Sequence, residues 1–222
     1  MKDTMRLSPT AFALTALSGI ALLLSPSVMG CGEDSTVPNQ RYSQLFGTSF
    51  AVGDSSVLEV SNFAGNVDVV PGNPGGVRVA FEKWAGREED LDQIEVELVK
   101  LPNGVRVVST NPLKLSQVSV DLEITVPPDT RPTLENGAGN IGYEGLAEGL
   151  CRFATGAGSI TLELPADVNI EVYLATGAGS IHVGFLVIGQ GGSHLVEGII
   201  GTGLDGRVEA QTGAGNITLI PQ

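Results

Sequence analysis

Apolar and polar residues alternate in short runs along most of the chain, and glycine-rich segments separate these runs. The longest clean example extends from Val118 to Val126, where every second residue is apolar and the residues between them are polar. A period of two is typical of a β-strand that buries one face. Only residues 88–93 suggest a helical turn. The pattern therefore predicts an all-β protein.

A six-residue phrase centred on Gly-Ala-Gly is repeated in the second half of the chain. Its copies begin at Asn136, Thr155, Thr176 and Thr212, and a looser copy begins at Asn62. A period of about 20 residues indicates units that cannot bury their apolar faces alone and that stack on one another. The last interval is nearly twice as long as the others, so we expect one decayed copy between Gly189 and Gly203.

Alternating residues flank each phrase on both sides, so each unit is predicted to be a strand, a glycine turn and a second strand. Glycine suits the turn because it adopts positive φ without a steric cost and lets neighbouring backbones approach closely. Stacking would align the isoleucines of the phrase inside, and its Asn or Ser residues at the corner, where they can bond backbone groups. This arrangement is a β-solenoid. The glycines assigned to its turns are Gly65, Gly137, Gly139, Gly156, Gly158, Gly177, Gly179, Gly213 and Gly215.

The start of the chain has the layout of an export signal. Lys2 and Arg6 precede an apolar run from Ala11 to Leu24, which small residues connect to Cys31. The segment Val28-Met29-Gly30-Cys31 resembles the lipobox of bacterial lipoproteins, in which the cysteine is acylated and becomes the first residue. We therefore expect a signal over residues 1–30, lipidation at Cys31 and a tether over 31–48. The alternative is an uncleaved membrane anchor, which the length of the apolar run would permit.

The residue after Cys31 bears on the membrane. It is Gly32 rather than an aspartate, which by resemblance to the sorting signals of Gram-negative lipoproteins favours the outer membrane, with its periplasmic and surface faces both open. Cys151 is the only other cysteine. If Cys31 is acylated, no disulfide can form within the chain. Cys151 falls on the inward register of its strand, so we expect a buried and unreactive thiol.

The formal net charge of −13 limits the classes of partner. Nucleic acid and anionic lipid headgroups are poor partners for an acidic surface. Solubility is the simplest role for this charge, and recognition of a cationic ligand is the alternative. The expected partners are the membrane, through the N-terminal lipid, and a protein or a glycan.

Residues 49–222 form the predicted folded domain, divided into N-terminal strands over 49–128 and glycine-cornered repeats over 129–222. The N-terminal part includes a hairpin whose turn is Pro102-Asn103-Gly104. We expect it to form a sheet or hairpin that caps the first coil. The chain ends one strand after the last glycine turn, so we expect an open sheet edge there, blunted by Pro221 or used for self-association.

Recognisable catalytic and cofactor motifs are not supported by their context. Gly137 to Gly142 matches G-x-G-x-x-G, but a strand is predicted where that motif requires a helix. Calcium-binding β-rolls need aspartate at their corners, whereas these corners have Asn140, Ser159, Ser180 and Asn216. His182 and His194 have no partner at a recognisable spacing. We therefore expect a non-enzymatic protein without a cofactor or a metal.

The strand from Val118 to Val126, the following Pro127-Pro128-Asp129-Thr130 and the repeats from Leu134 onward resemble a bacterial envelope family of β-strand repeats, whose members are usually described as putative adhesins. The similarity covers residues 50–220. It implies right-handed, parallel β-solenoid packing and an extracytoplasmic location. It provides no binding residues that can be transferred to this sequence.

Two hypotheses from different classes follow. The first is a lipid-anchored binding or adhesion module, with Arg152, Tyr173 and Glu209 as its candidate binding face, because these outward positions align across the repeats. The second is a periplasm-facing structural or regulatory protein that acts through a partner. A solenoid enzyme such as a polysaccharide lyase is a weaker third, since no basic cluster is expected beside Glu163, Glu171 and Glu209.

Overall fold

The computed structural model describes residues Thr4–Arg6, 41–53 and 56–222. Nearly all of the predicted signal, and Cys31 with it, lies outside these residues. The fold is all-β, as expected, with one 3-10 helix at Glu88–Gln93 where a helical turn was expected. The strands are β1 (Thr4–Arg6), β2 (Tyr42–Ala51), β3 (Val57–Asn62), β4 (Val67–Pro71), β5 (Gly76–Ala85), β6 (Glu95–Leu101), β7 (Gly104–Thr110), β8 (Val118–Val126), β9 (Arg131–Ala138), β10 (Ile141–Glu144), β11 (Gly149–Ala157), β12 (Ile160–Leu164), β13 (Ile170–Ala178), β14 (Ile181–Val183), β15 (Val187–Gly191), β16 (Leu195–Ile200), β17 (Gly206–Ala214) and β18 (Ile217–Pro221).

These strands form two large mixed sheets. The larger sheet has the order β1-β6-β7-β3-β9-β11-β17-β13-β16-β15, and the smaller has the order β14-β18-β12-β10-β4-β8-β5-β2. Each copy of the phrase joins a strand of the larger sheet to a strand of the smaller one. The five resulting units are β3–β4, β9–β10, β11–β12, β13–β14 and β17–β18, and they run parallel to one another.

The apolar residues of the units meet between the two sheets. Ile141 lies beside Ile160, and Ile160 lies beside Ile217, in one column of the smaller sheet. Leu134 lies beside Phe153 in the facing column of the larger sheet. All five side chains are buried, and each contributes about 1.5–3 kcal/mol of hydrophobic stabilisation. The inward columns predicted from the alternation therefore form the core.

Two ladders of hydrogen bonds hold the corners together. At the first position of the phrase, Thr155 Oγ1 donates to the carbonyl of Gly139 at 2.9 Å, and Thr212 Oγ1 donates to that of Gly158 at 2.8 Å. At the fifth position, the backbone N–H of Ser159 donates to Asn140 Oδ1 at 2.9 Å. Equivalent bonds join the other units, so the Asn and Ser column bonds backbone groups as predicted.

The units do not stack in chain order, because the last unit, β17–β18, lies between β11–β12 and β13–β14. The expected open edge at the C-terminus is therefore wrong: β18 pairs with β12 on one side and with β14 on the other. The repeats explain this insertion, since Ile217 fits equally well beside Ile160 and Ile181. The parallel solenoid is thus found only in part, and its right-handed path stays a prediction.

No decayed copy occupies the segment before the last unit. Residues 187–200 instead form an antiparallel hairpin of β15 and β16, and β16 pairs antiparallel with β13. The expectation of a further unit between Gly189 and Gly203 is therefore wrong. Both strands of this hairpin lie in the larger sheet, so it extends that sheet and contributes no strand to the smaller one.

The N-terminal strands continue both sheets rather than forming a separate cap. Strands β6 and β7 form the predicted hairpin at Pro102-Asn103-Gly104, and β7 pairs with β3. Strands β8, β5 and β2 extend the smaller sheet from β4. The chain enters the smaller sheet at Tyr42 of β2, and β2 and the β14–β15–β16 side lie at opposite ends of the sheets.

Candidate binding face

The three residues of the predicted binding face lie in one row on the outer surface of the larger sheet. Arg152 of β11 is opposite Glu209 of β17, and Glu209 is opposite Tyr173 of β13. Their neighbours in the same strands, Cys151, Val208 and Val172, are buried. Because side chains alternate across a strand, the three residues point together toward solvent. The three residues therefore lie in one outward row, as their register in the sequence predicted, and its role as a binding face stays a prediction.

A chain of ion pairs fixes the row. Arg152 Nε is 3.1 Å from Glu209 Oε2, Arg207 Nε is 2.8 Å from Glu209 Oε1, and Arg207 Nη1 is 3.2 Å from Glu171 Oε2. Burial raises the pKa of Glu209, but the hydrogen bonds from Arg207 and Arg152 outweigh it and leave this pKa below its ordinary value. Glu209 is therefore ionised at neutral pH and holds two guanidinium groups in place.

Sequence reasoning missed Arg207 and Glu171 as members of this network. No basic cluster was expected beside Glu163, Glu171 and Glu209. Arg207 contacts both Glu171 and Glu209, however, and Arg152 contacts Glu209. The outward alternation of β13 and β17 contained the signal. The cross-strand partners could not be identified without the order of the units.

A groove of about 730 Å³ crosses the strands beside this row. Its floor contains the first glycine of each phrase, among them Gly137, Gly156, Gly213 and Gly177, and its walls include Glu135 and Gln211. A Cβ atom on Gly213 would lie 2.5 Å from the carbonyl oxygen of Gly156. Close stacking thus requires glycine at this position. Because glycine has no side chain, a row of such residues leaves an open groove along the stack. The second glycine of each phrase is needed for a different reason. Gly158 has a φ of +149°, a backbone conformation that residues with a side chain rarely adopt.

One lining residue has an unused acceptor. Asn136 Nδ2 donates to the carbonyl of Gly65 at 2.7 Å, while Asn136 Oδ1 has no hydrogen-bond partner and is inaccessible to water. In the neighbouring unit, the equivalent oxygen of Asn62 accepts a bond from Ser109 Oγ. The groove is otherwise neutral apart from Glu135.

An acidic patch lies on the outer face of the smaller sheet. Asp68 is opposite Glu123, and Glu82 is opposite Asp121, on the adjacent strands β4, β8 and β5. Burial, then Glu123, then Asp121 raise the pKa of Asp68. Among the described residues, no group of three or more His, Cys, Asp and Glu is arranged to hold a metal ion.

The other residues that the sequence singled out lie as follows in the structure. Cys151 is buried, as expected, and burial raises the pKa of its thiol to about 12. His182 and His194 are exposed. The residues after the G-x-G-x-x-G match form strand β10, so the helix that this motif requires is replaced by a strand. Within the described ranges, no helix is long and apolar enough to span a membrane.

Comparison with solved structures finds a likeness to the crystal structure of a putative cell adhesion protein from Clostridium sporogenes ATCC 15579. The TM-score is 0.52 with 15% sequence identity, over 81% of this chain and 100% of that chain. No protein-family model and no curated protein matches the sequence. The two proteins therefore share a fold.

Proposed function

We propose that this protein is a lipid-anchored, non-catalytic adhesion or binding module of the cell envelope, held in the outer membrane by Cys31. Its ligand is a protein or a glycan. One observation carries the proposal: Arg152, Glu209 and Tyr173 form a row, held by ion pairs, on the outer face of the larger sheet beside an open groove. The similar fold of the crystal structure described as that of a putative cell adhesion protein supports this class of function.

The chemistry of the row suits recognition rather than catalysis. Tyrosine and arginine supply much of the binding energy in protein interfaces. A tyrosine ring also offers an apolar face and a hydroxyl, which suit a sugar ring as well as a peptide. The ion pairs hold Arg152 in one orientation, so less side-chain entropy is lost on binding.

Ligand capture by purified protein tests the face. Wild-type protein would be applied to immobilised envelope glycans and extracellular matrix proteins beside the double variant Arg152→Ala/Tyr173→Ala. We expect the double variant to lose at least about tenfold in affinity for whichever probe the wild type binds, the usual loss for a central contact. Arg78→Ala is the matched control, since Arg78 is exposed on the smaller sheet. Equal binding by both variants would reject this face.

Protease shaving of intact cells tests the anchor and the location separately. Tagged wild-type protein should fractionate with membranes and be digested from outside, whereas Cys31→Ser should be released from the membrane. Digestion only after the outer membrane is opened would place the protein in the periplasm and exclude surface adhesion. Membrane retention of Cys31→Ser would reject the lipid anchor.

A further inference from the structure

The end of the molecule opposite the tether is unusually apolar. We call it the tip and define it as β14, β15, β16 and the loops that join them to their neighbours, residues 179–205. Leu186 is 84% exposed, Ile188 68% and Leu204 83%, and Leu195 and Ile199 are also exposed. Ile181, Val183, Phe185 and Val187 are only partly buried against the core. Exposed apolar residues grouped in this way mark an interaction surface.

The tip also ends the larger sheet with an unprotected edge. Among the described residues, strand β15 pairs only with β16, so its other side presents backbone donors and acceptors that no described strand uses. Native proteins usually block such edges with charged residues or proline. Strand β15 has neither, whereas β6 near the opposite end carries Glu95, Glu97 and Lys100. The edge is therefore competent to accept another strand.

The distribution of charge indicates which strand pairs with the β15 edge. No Asp, Glu, Lys or Arg lies between Glu171 and Glu197, in a chain of net charge −13. Two copies that meet at the patch of Asp68 and Glu123 on the smaller sheet would bring acidic groups together. Two copies that meet along β15 bring together strands that carry no charged residue. The two acidic residues of the tip lie away from this edge, Glu197 on β16 and Asp205 beside Asn169.

The one charged residue of β15 and β16 is Glu197, on the strand inside the edge. When two copies of β15 pair, the two β16 strands are three strand spacings apart, about 14 Å. This distance exceeds the screening length of about 8–10 Å at ordinary ionic strength. Repulsion between the two Glu197 residues therefore does not oppose the contact.

We propose that the tip binds a second copy of this chain, with β15 pairing antiparallel to β15 of the other copy about a two-fold axis. A two-fold contact joins the same patch on both partners. Pairing of β15 with β15 of the other copy therefore provides hydrogen-bond partners for the open edges of both copies. Strands of five residues cover less than the roughly 800 Å² per partner of a standard interface, so the dimer is weak and depends on concentration. Because the tether enters at the far end, this contact faces away from the membrane. The dimer does not depend on the proposed function.

Co-purification tests the dimer in the full chain. Two differently tagged copies are co-expressed, solubilised in mild detergent and captured through one tag. We expect wild-type copies to co-purify and Ile188→Lys to reduce this at least tenfold, because each edge then carries a positive charge. Leu45→Lys is the control, since Leu45 is 65% exposed on the edge strand at the other end, β2. Both side chains are exposed, so thermal unfolding should be unchanged in either variant.

A cross-link locates the contact. Gln190→Cys places a thiol on the exposed edge. In a pairing centred on Gly189, the Cα atoms of the two residues at position 190 are about 8 Å apart, too far for a direct disulfide. A bis-maleimide cross-linker that spans this distance should therefore give a dimer that the parent chain lacks. The proposal is overturned if wild-type copies do not co-purify or if Ile188→Lys leaves co-purification unchanged. It is overturned as well if Leu45→Lys reduces co-purification as much as Ile188→Lys does. It is also overturned if Gln190→Cys forms no dimer, or if the tip binds lipid vesicles while the chain stays monomeric.

Discussion

A Cβ atom on Gly156 would lie 2.5 Å from the carbonyl oxygen of Gly137 in the neighbouring unit. No side chain fits that gap without moving one backbone against the other. The same closeness recurs at Gly213 and Gly177, so a single steric requirement sets the stacking distance of the repeats and creates the groove beside the candidate binding face.

Gly156→Ala should lower the free energy of unfolding by about 1–3 kcal/mol, the usual cost of overfilling a packed site, and Gly156→Val should cost more. Urea unfolding followed by circular dichroism measures the change. Gly191→Ala is the control because no atom lies within 4 Å of a Cβ built there. Equal stability of Gly156→Val and the wild type would contradict the stacked arrangement.

Thr212→Val should destabilise the fold by about 1–3 kcal/mol, because the buried hydroxyl that donates to the Gly158 carbonyl is lost and that acceptor is left unpaired. Chemical denaturation is again the measurement. Thr133→Val is the matched control, since Thr133 is half-buried on β9 and makes no side-chain hydrogen bond to the described residues. A loss of equal size in both variants would show that the ladder contributes nothing.

Asp68→Asn should raise the free energy of unfolding at pH 7 by a few tenths to about 1 kcal/mol, because it removes a carboxylate opposite Glu123. The raised pKa of Asp68 means that the folded state disfavours its ionised form. Lowering the pH through that pKa protonates Asp68 in the wild type, so the advantage of the variant should shrink. Asp167→Asn, in an exposed turn, serves as the control, and an advantage that grows with acidity would refute the assignment.

Cys151 should resist thiol reagents in the folded protein. Burial raises its pKa to about 12, although Arg131 acts in the opposite direction, so almost no thiolate exists at pH 8. In a Cys31→Ser background, we expect labelling at least about 100-fold slower than in denaturant, because the thiolate is the reactive species. Labelling is measured by the absorbance that a chromogenic disulfide reagent releases. Rapid labelling of the folded protein would show that the thiol is accessible and would contradict its burial.

Local features were predictable because they depend on neighbouring residues in the chain. The alternation from Val118 to Val126 gave the bounds of β8, and the turn at Asn103 gave the β6–β7 hairpin. Alternation of the same kind in β11, β13 and β17 placed Arg152, Tyr173 and Glu209 on one outer row. The groove could be anticipated only in part, since it depends on which glycine faces outward.

The sequence by itself determined the strand–glycine–strand unit, its inward and outward residues and its corner ladders, since each follows from backbone geometry over a few residues. Only the tertiary structure decided the order of the units. Ile160, Ile181 and Ile217 present nearly identical surfaces, so local pattern cannot tell which two become neighbours, and the long-range packing places β18 between β12 and β14. That same packing ends the larger sheet with the β15–β16 hairpin, whose edge strand β15 carries no charged residue, and so creates the tip.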